Sequence, residues 1–233
     1  LADGLEGDIP TAERWGAIGM WAWGLSQMRR AVATMPGLDA RRAIVIGHSR
    51  LGKAALWAGA QDEAFAMVVS NDSGCAGAAL SRRAYGETIG RITRSFPHWF
   101  CPTLASWAGR EAAMPIDQHQ LLALVAPRVL HVGSAVEDRW ADPKGEFLAT
   151  LAADEAWRVL RQRGLGVTAM PAVEQSVGDR VRYHIRTGGT TSPATTGRST
   201  SPRRRRSSPE VAPHLTISSP RISSHPASAR MLQ

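Results

Sequence analysis

The apolar positions of the chain follow two spacings, one helical and one continuous. Residues 17–35 carry apolar side chains at helical spacing and end at Pro36-Gly37, a helix stop signal, so they predict a long helix. Residues 43–46 (Ala-Ile-Val-Ile) are wholly apolar and rich in β-branched residues, which predicts a strand buried on both faces of a parallel sheet. Residues 52–60 again predict a helix.

Strands and helices keep alternating along the rest of the apolar pattern. Strands are predicted at residues 66–70, 129–134 and 167–170, and a helix at residues 142–163. This alternation predicts the α/β class, a parallel sheet with helices on both faces. Ligands of such sheets bind at the carboxyl ends of the strands, so the chemistry should be sought there.

Composition divides the chain near residue 189. Of the 47 residues from position 187 onward, 23 are Ser, Thr or Pro and none is aromatic, whereas all eight tryptophans come earlier. Such a segment cannot bury enough apolar surface to offset the entropy lost on ordering. We therefore expect one partial α/β domain over residues 1–189 and a disordered tail over residues 190–233.

The net charge of +8 belongs mainly to that tail. Residues 187–233 hold seven arginines and one acidic residue, a net of +6, which leaves a net of +2 for residues 1–186. The four consecutive arginines at 203–206 can attract a polyanion, but no base-stacking aromatic residues accompany them. We expect a solvated tail and no nucleic-acid partner. No apolar run approaches the roughly 20 residues of a membrane span, so no membrane partner is expected.

The first residues of the chain lack the features of a natural amino terminus. The chain opens on Leu1-Ala2-Asp3, with no initiator Met and no signal segment. We expect a fragment that lacks its beginning. Early strands of the sheet would then be missing, and their neighbours would expose apolar edges.

A candidate nucleophile follows the first predicted strand. Residues 47–53 read Gly-His-Ser-Arg-Leu-Gly-Lys and lead directly into a helix. A serine on a sharp strand-to-helix turn is the nucleophile elbow of α/β-hydrolases, and the helix amino terminus offers N–H groups to an oxyanion forming at Ser49. The usual spacing differs, because Gly52 follows the serine by three positions rather than two. An ordinary glycine turn with a surface serine is the alternative.

Three acidic residues are candidates to orient a catalytic histidine. Asp72 follows the second predicted strand, and Glu137 and Asp138 follow the third, so all three fall on the same edge of the sheet. For each of them, a solvated or helix-capping role is the alternative.

Four blocks in order resemble the bacterial glucuronoyl esterases of carbohydrate esterase family 15. They are residues 47–53, 71–75 (Asn-Asp-Ser-Gly-Cys), 95–101 (Ser-Phe-Pro-His-Trp-Phe-Cys) and 137–143 (Glu-Asp-Arg-Trp-Ala-Asp-Pro). The resemblance implies an α/β-hydrolase, incomplete here, that cleaves the ester between 4-O-methyl-glucuronic acid on xylan and an alcohol of lignin. It also implies no metal or organic cofactor and a secreted or periplasmic enzyme.

The resemblance assigns roles to individual residues. Ser49 matches the nucleophile, and Arg50 matches an arginine that stabilises the oxyanion. Lys53 matches a lysine that contacts the uronate hydroxyls, Glu87 a carboxylate that accepts hydrogen bonds from the sugar, and Trp140 an aromatic border of the sugar pocket. The alternatives are a helix-surface lysine, a solvated glutamate within a helix and a core tryptophan.

The resemblance leaves open which of two strand ends carries the acid of the catalytic triad. Asp72 matches the position used in one set of family members and is our first choice. Glu137 or Asp138 lies where α/β-hydrolases generally place the acid, after a later strand.

The two cysteines, Cys75 and Cys101, lack the paired spacing of a structural zinc site. Read through the resemblance, they form either a disulfide that suits an exported enzyme or a reduced buried pair.

The catalytic base of the family has no counterpart in this chain. The family places its histidine soon after a block like residues 183–186 (Tyr-His-Ile-Arg), in a His-Asp pair, but residues 187–192 here read Thr-Gly-Gly-Thr-Thr-Ser. The composition shift begins at the same point, so we hypothesise that the reading frame changes after about residue 189. None of the seven histidines is a convincing substitute; they are His48, His98, His119, His131, His184, His214 and His225.

We therefore expect a serine esterase of this family that is impaired as written. One alternative is an acetylxylan-type esterase, for which Lys53 and Glu87 would be unnecessary. The other is a non-catalytic remnant that binds sugar, or binds polyanions through its basic tail.

Overall fold

A computed structural model of the chain describes residues 14–190. The expectations for the opening residues, for the basic run at 203–206 and for a disordered tail from residue 191 onward lie outside the described residues. No helix within residues 14–190 is both long enough and apolar enough to cross a bilayer.

The described chain alternates helices and strands. The helices are α1 (Ala17–Val32), α2 (Arg50–Gln61), α3 (Ile89–Ser95), α4 (Gln118–Ala123) and α5 (Pro143–Val159). The strands are β1 (Ile44–His48), β2 (Met67–Asn71), β3 (Val129–Ala135), β4 (Ser176–Gly178) and β5 (Val181–Arg186). Short 3₁₀ turns cover Ala40–Arg42, Ser81–Arg83, Pro102–Trp107 and Glu111–Ala113.

The strands form a sheet in the order β1-β2-β3-β5-β4, parallel except for the β4–β5 pair. One row across it joins His48 to Asn71, Asn71 to Gly133 and Gly133 to His184. The carboxyl ends of the four parallel strands therefore meet at one edge. This arrangement confirms the predicted α/β class.

The strand predicted at residues 167–170 is wrong. Gly166 has a φ of +71°, Pro171 follows the run, and the four residues join no strand. Val167 and Met170 instead pack from the side against the main core. The fourth parallel strand is β5, whose charged residues hid it from a search for wholly apolar runs.

The predicted helices are confirmed with shifted ends. The first helix ends at Val32, and the turn up to Pro36-Gly37 is not helical. The last begins one residue late because Asp142 is its N-cap, accepting a hydrogen bond from the Gly145 amide, and it ends at Val159 rather than residue 163.

The main core lies between the sheet and the helices α2 and α5. Leu56, Val68, Leu130 and Trp157 are fully buried in it. The Trp157 indole also donates to the carbonyl of Arg128 at 2.8 Å, so its polar atom is satisfied. This packing fixes the strand ends that carry the candidate site.

The strand β1 is the apolar edge of the described sheet. Ile44 and Ile46 are 47% and 55% exposed, because β1 pairs with β2 alone among the described strands. The apolar side chains on this edge of the described sheet are therefore partly open to solvent.

Candidate active site

Ser49 forms the whole connection between β1 and α2. Its φ of 54° and ψ of −125° lie in a region that non-glycine residues rarely adopt. The Ser49 amide donates to the Asn71 carbonyl at 2.9 Å, and the Ser49 carbonyl accepts from the amides of Gly52 and Lys53. The serine hydroxyl makes no capping bond to the helix, and the residue is half-buried. This is the geometry of a nucleophile elbow.

Two glycines make this corner possible. A Cβ on Gly47 would lie 1.9 Å from the Leu51 carbonyl oxygen, so no larger residue fits. A Cβ on Gly52 would lie 2.9 Å from the Ser73 Cβ and 3.2 Å from the Gly47 oxygen. The close approach at Gly52 explains why the second glycine stands three positions after the serine.

The first turn of α2 supplies donors beside Ser49. Arg50 opens the helix and is exposed, and no acidic residue lies in this turn. The first amides of a helix have no acceptor within it, so the Arg50 N–H is available to a negative oxygen near the serine.

Lys53, Glu87 and Trp140 come together near the elbow. Lys53 is 4% exposed, its ammonium donates to the Ser73 carbonyl, and burial lowers its pKa against the opposing effect of Glu87. The Glu87 amide donates to the Trp140 carbonyl at 2.9 Å, and the Trp140 indole hydrogen-bonds the Glu87 carboxylate, whose pKa burial raises. We call these three residues the sugar cluster, after the role that the family resemblance predicts for them.

The sugar cluster differs from the alternatives considered for its members. Lys53 is not a surface lysine, Glu87 precedes α3 rather than lying in a helix, and Trp140 is 51% exposed rather than a core residue. The guanidinium of Arg91 lies 5.4 Å from the centroid of the Trp140 ring, which leaves that ring positioned but accessible.

Asp72 is buried beneath the corner. Its Oδ1 accepts from the Ala135 amide at 2.6 Å, and its Oδ2 accepts from Nη2 of Arg186 at 2.8 Å. Burial raises the pKa of Asp72 to about 6, although the charge of Arg186 opposes the shift. Both carboxylate oxygens of Asp72 thus accept hydrogen bonds from buried groups of the protein.

Glu146 is a buried acid that the sequence patterns did not single out. Its Oε1 accepts from the amides of Ser73 and Gly74 at 2.8 and 3.0 Å, and its Oε2 forms a hydrogen bond with Ser134 Oγ at 2.5 Å. Burial, and then the nearby charge of Asp72, raise the pKa of Glu146 to about 8. The Arg186 charge favours ionised Asp72, so Glu146 holds the proton at neutral pH.

Arg186 links the buried Asp72 to the loop after β5. Besides Asp72, its guanidinium donates to the carbonyls of Thr187, Gly189 and Thr190, at 3.2, 2.7 and 3.3 Å. The side chain is 1% exposed, so this is a buried ion pair that also holds residues 187–190 in place.

Asp138 and Glu137 occupy different environments. Asp138 is half-buried; its Oδ1 accepts from the Ala141 amide at 3.1 Å, and its Oδ2 accepts from the Thr190 hydroxyl. Glu137 is exposed, and its amide donates to the Gly188 carbonyl at 3.2 Å. Of the three candidate acids, Asp138 is the one whose carboxylate contacts the side chain at position 190.

The histidines nearest in the sheet are poorly placed to activate Ser49. His48 Nδ1 lies 2.7 Å from the Asn71 side-chain amide. His184 stands three strands from β1 in the same row, a separation of about 14 Å at the usual strand spacing. His131 is completely buried, and burial lowers its pKa to about 3.

Cys75 and Cys101 are both free, so the predicted disulfide is not formed. Cys75 is buried, and burial raises its pKa to about 12. Cys101 is exposed, so the alternative of a buried pair is also wrong. Cys101 lines an apolar cleft of about 430 Å³, whose walls also include Lys53 and Trp57.

Among residues 14–190, no group of three or more His, Cys, Asp or Glu is arranged to hold a metal ion.

Comparisons with known proteins agree with this geometry. A family model described as "Glucuronyl esterase, fungi" matches residues 10–161. Carbohydrate esterase MZ0003, from an unknown prokaryotic organism, is 49% identical over 180 residues, which are 77% of this chain and 42% of the relative. The 4-O-methyl-glucuronoyl methylesterase of Hypocrea jecorina is 35% identical over 155 residues, 62% of this chain and 33% of the relative.

A solved structure, described as a promiscuous CE15 esterase from the marine bacterial metagenome, superposes with a TM-score of 0.78 at 48% identity. The match covers 80% of this chain and 47% of that one, so this chain spans less than half the length of the relatives it matches. By sequence and by fold, the chain belongs to the glucuronoyl esterase family, carbohydrate esterase family 15.

Proposed function

We propose that this chain carries the nucleophile and the sugar contacts of a serine esterase that cleaves esters of 4-O-methyl-glucuronic acid. One observation carries the proposal: Ser49 stands at a strained strand-to-helix corner, one helical turn from Lys53 of the sugar cluster. The name of the Hypocrea jecorina relative, 4-O-methyl-glucuronoyl methylesterase, supports 4-O-methyl-glucuronic acid as the acid part of the ester substrate. In the plant cell wall the ester alcohol would belong to lignin, and an enzyme acting there would be exported.

The proposed reaction is acyl transfer in two steps. Ser49 Oγ attacks the ester carbonyl and gives its proton to a base, and the oxyanion that forms is stabilised by Arg50 through its N–H and guanidinium. The C–O bond to the alcohol then breaks, the base returns the proton to the alcohol, and a glucuronoyl-serine ester remains. Water hydrolyses this ester by the same steps, which releases the uronic acid.

The sugar cluster provides recognition in this proposal. The Glu87 carboxylate accepts hydrogen bonds from sugar hydroxyls, Lys53 donates to them, and the exposed face of Trp140 covers the C–H face of the ring. Acetyl esters need none of these contacts. In a chain whose activity is restored by the substitution described below, Glu87→Gln should therefore slow hydrolysis of a glucuronate ester more than that of an acetyl ester.

The base is the missing part of the machinery, and we propose that position 190 is its place. Thr190 donates to Asp138 at the edge of the sheet where Ser49 lies, so an imidazole at this position would be oriented by Asp138. This contact favours Asp138 as the triad acid; Asp72 and Glu137 are the alternatives. A threonine hydroxyl cannot take up a proton at neutral pH, so the chain as written is impaired.

Thr190→His tests this proposal in the full chain, with hydrolysis of methyl D-glucuronate as the assay. We expect the parent to be close to the buffer rate and Thr190→His to be faster by roughly 10²- to 10⁴-fold, the usual contribution of a general base. Adding Ser49→Ala should return the rate to the parent level. Thr187→His is the matched control, because Thr187 bonds Glu174 rather than Asp138.

Two results would contradict the proposal. Equal rates for Thr190→His with and without Ser49→Ala would remove Ser49 as the nucleophile. Equal rates for Thr190→His and Thr187→His would remove position 190 as the site of the base.

A further inference from the structure

A second pocket, of about 310 Å³, lies at the carboxyl end of β3 beside the sugar cluster. Its walls include three cationic side chains, Arg83, Arg139 and Lys144, and the phenol of Tyr85. Its remaining surface is largely apolar and includes Met170 and Ile185. We call it the basic pocket. None of the steps proposed at Ser49 uses it.

The charges of the basic pocket do not cancel. Asp142 is the one acidic residue among those that line it. Asp142 is 2% exposed, and its carboxylate is already bound by Nε of Arg83 at 2.7 Å and by the Gly145 amide at 3.0 Å. Arg139 and Lys144 are exposed, and no ion pair within residues 14–190 engages either of them. Two positive charges are therefore available to a ligand.

The wall of the basic pocket is built tightly against the segment that carries Trp140. Gly86 has a φ of +64°, and a Cβ there would lie 2.5 Å from the carbonyl oxygens of Arg139 and Trp140. The guanidinium of Arg83 lies 5.8 Å from the centroid of the Tyr85 ring. These contacts hold the Arg83 guanidinium, the phenol and the backbone of Arg139 in place without a ligand, so this part of the pocket needs little ordering on binding.

We propose that the basic pocket binds the free carboxylate form of a uronic acid residue. The volume accommodates one sugar ring. The phenol and the apolar surface suit the C–H faces of the ring, and the two unpaired cations suit a carboxylate. The pocket adjoins the sugar cluster, because Arg139 in its wall precedes Trp140 directly in the chain. It would therefore hold a second, unesterified uronic acid unit of the polysaccharide whose ester is cleaved at Ser49. Binding itself does not depend on that reaction.

A titration of the full ¹⁵N-labelled chain with sodium D-glucuronate, followed by NMR, tests this inference. We expect saturable shifts of the Tyr85 and Arg139 amides with a millimolar Kd, weakened by added salt. Arg139→Gln and Lys144→Gln should each weaken binding at least about fivefold, the effect of losing one charge-assisted hydrogen bond. Both side chains are exposed, so the fold tolerates these changes, and thermal melts verify it.

Matched variants and ligands distinguish this site from a general attraction of anions to the protein surface. Arg94→Gln removes an exposed cation from α3 and should leave the Kd unchanged. Ser49→Ala should also leave it unchanged, so a failure of the esterase proposal does not affect this result. Methyl β-D-xyloside, which is neutral, should not bind. The inference is overturned if acetate binds as tightly as glucuronate, if no saturable shift occurs, or if neither pocket variant changes the Kd.

Discussion

Two strand-to-helix corners at the same edge of the sheet are built in opposite ways. The corner between β1 and α2 is a single residue, Ser49, in a strained conformation. The corner between β3 and α5 spans residues 136–142 and carries Glu137, Asp138 and Trp140. We refer to them as the short corner and the long corner.

The short corner is held by its own neighbours, and the long corner by contacts with distant parts of the chain. Gly47 and Gly52 allow the short corner to close. The long corner depends on the Glu87–Trp140 contact and on the loop after β5, which Arg186 ties to Asp72 across 114 positions. Local backbone geometry can thus fix the proposed nucleophile, whereas the proposed acid and sugar contacts need the assembled sheet.

Breaking the long-range support should have the largest effect. Arg186→Met leaves Asp72 as a buried charge without its partner, which costs about 3–5 kcal/mol of unfolding free energy. Urea unfolding at pH 7 measures it. Adding Asp72→Asn to Arg186→Met should recover part of the loss because the unpaired charge is gone. A loss below about 1 kcal/mol for Arg186→Met would show that this ion pair is not the support of the long corner.

Blocking the short corner should come next. Gly47→Ala puts a Cβ against the Leu51 carbonyl, a backbone atom that cannot move aside, and should cost about 1–3 kcal/mol. Gly24→Ala on α1 is the matched control, because a Cβ there meets nothing within 4 Å, and it should be neutral or slightly stabilising. Equal melting temperatures for the two variants would contradict the tight closure at Gly47.

Replacing Glu146 should have the smallest effect of the three at pH 5, and its effect should grow as the pH rises. Burial raises the pKa of Glu146 to about 8, above its ordinary value of 4.5, so the folded state binds the proton more tightly than the unfolded state. The contribution of Glu146 to stability is thus complete below pH 4.5 and is lost as the pH rises toward 8. Glu146→Gln keeps the neutral shape, so it should gain stability relative to the parent from about pH 5 to about pH 8.

Thermal melts at pH 5 and pH 8 measure this difference in stability, which should grow by about 5–15 degrees between the two pH values. Glu155→Gln is the control, because it makes the same replacement on the exposed face of the same helix. A constant difference between Glu146→Gln and the parent across the same range would mean that Glu146 is already ionised throughout.

The sequence predicts what depends on neighbouring residues. The apolar run before Gly47 and the helix after Ser49 specify the short corner, and the strand ends place Asp72 and Asp138 on one edge. The resemblance to the family brought in Lys53, Glu87 and Trp140, which the structure places together.

What the sequence could not predict depends on contacts between distant residues. The strand β5 contains two arginines and a histidine. The buried charge of Arg186 is compensated by Asp72, a partner that no local pattern reveals. Glu146 reads as an ordinary residue of a first helical turn, and only the folded chain surrounds it with hydrogen-bonding groups from residues 73, 74 and 134. The spacing of Cys75 and Cys101 likewise could not decide between a disulfide and two free thiols.

The two free cysteines differ so strongly in accessibility that they offer a practical tool. Cys75 is buried with a pKa of about 12, whereas Cys101 is exposed on the cleft that reaches Lys53. Since the chain contains no other cysteine, a maleimide fluorophore or a nitroxide should attach at Cys101 alone. The unaltered protein thus provides a single-site spectroscopic reporter of what enters that cleft.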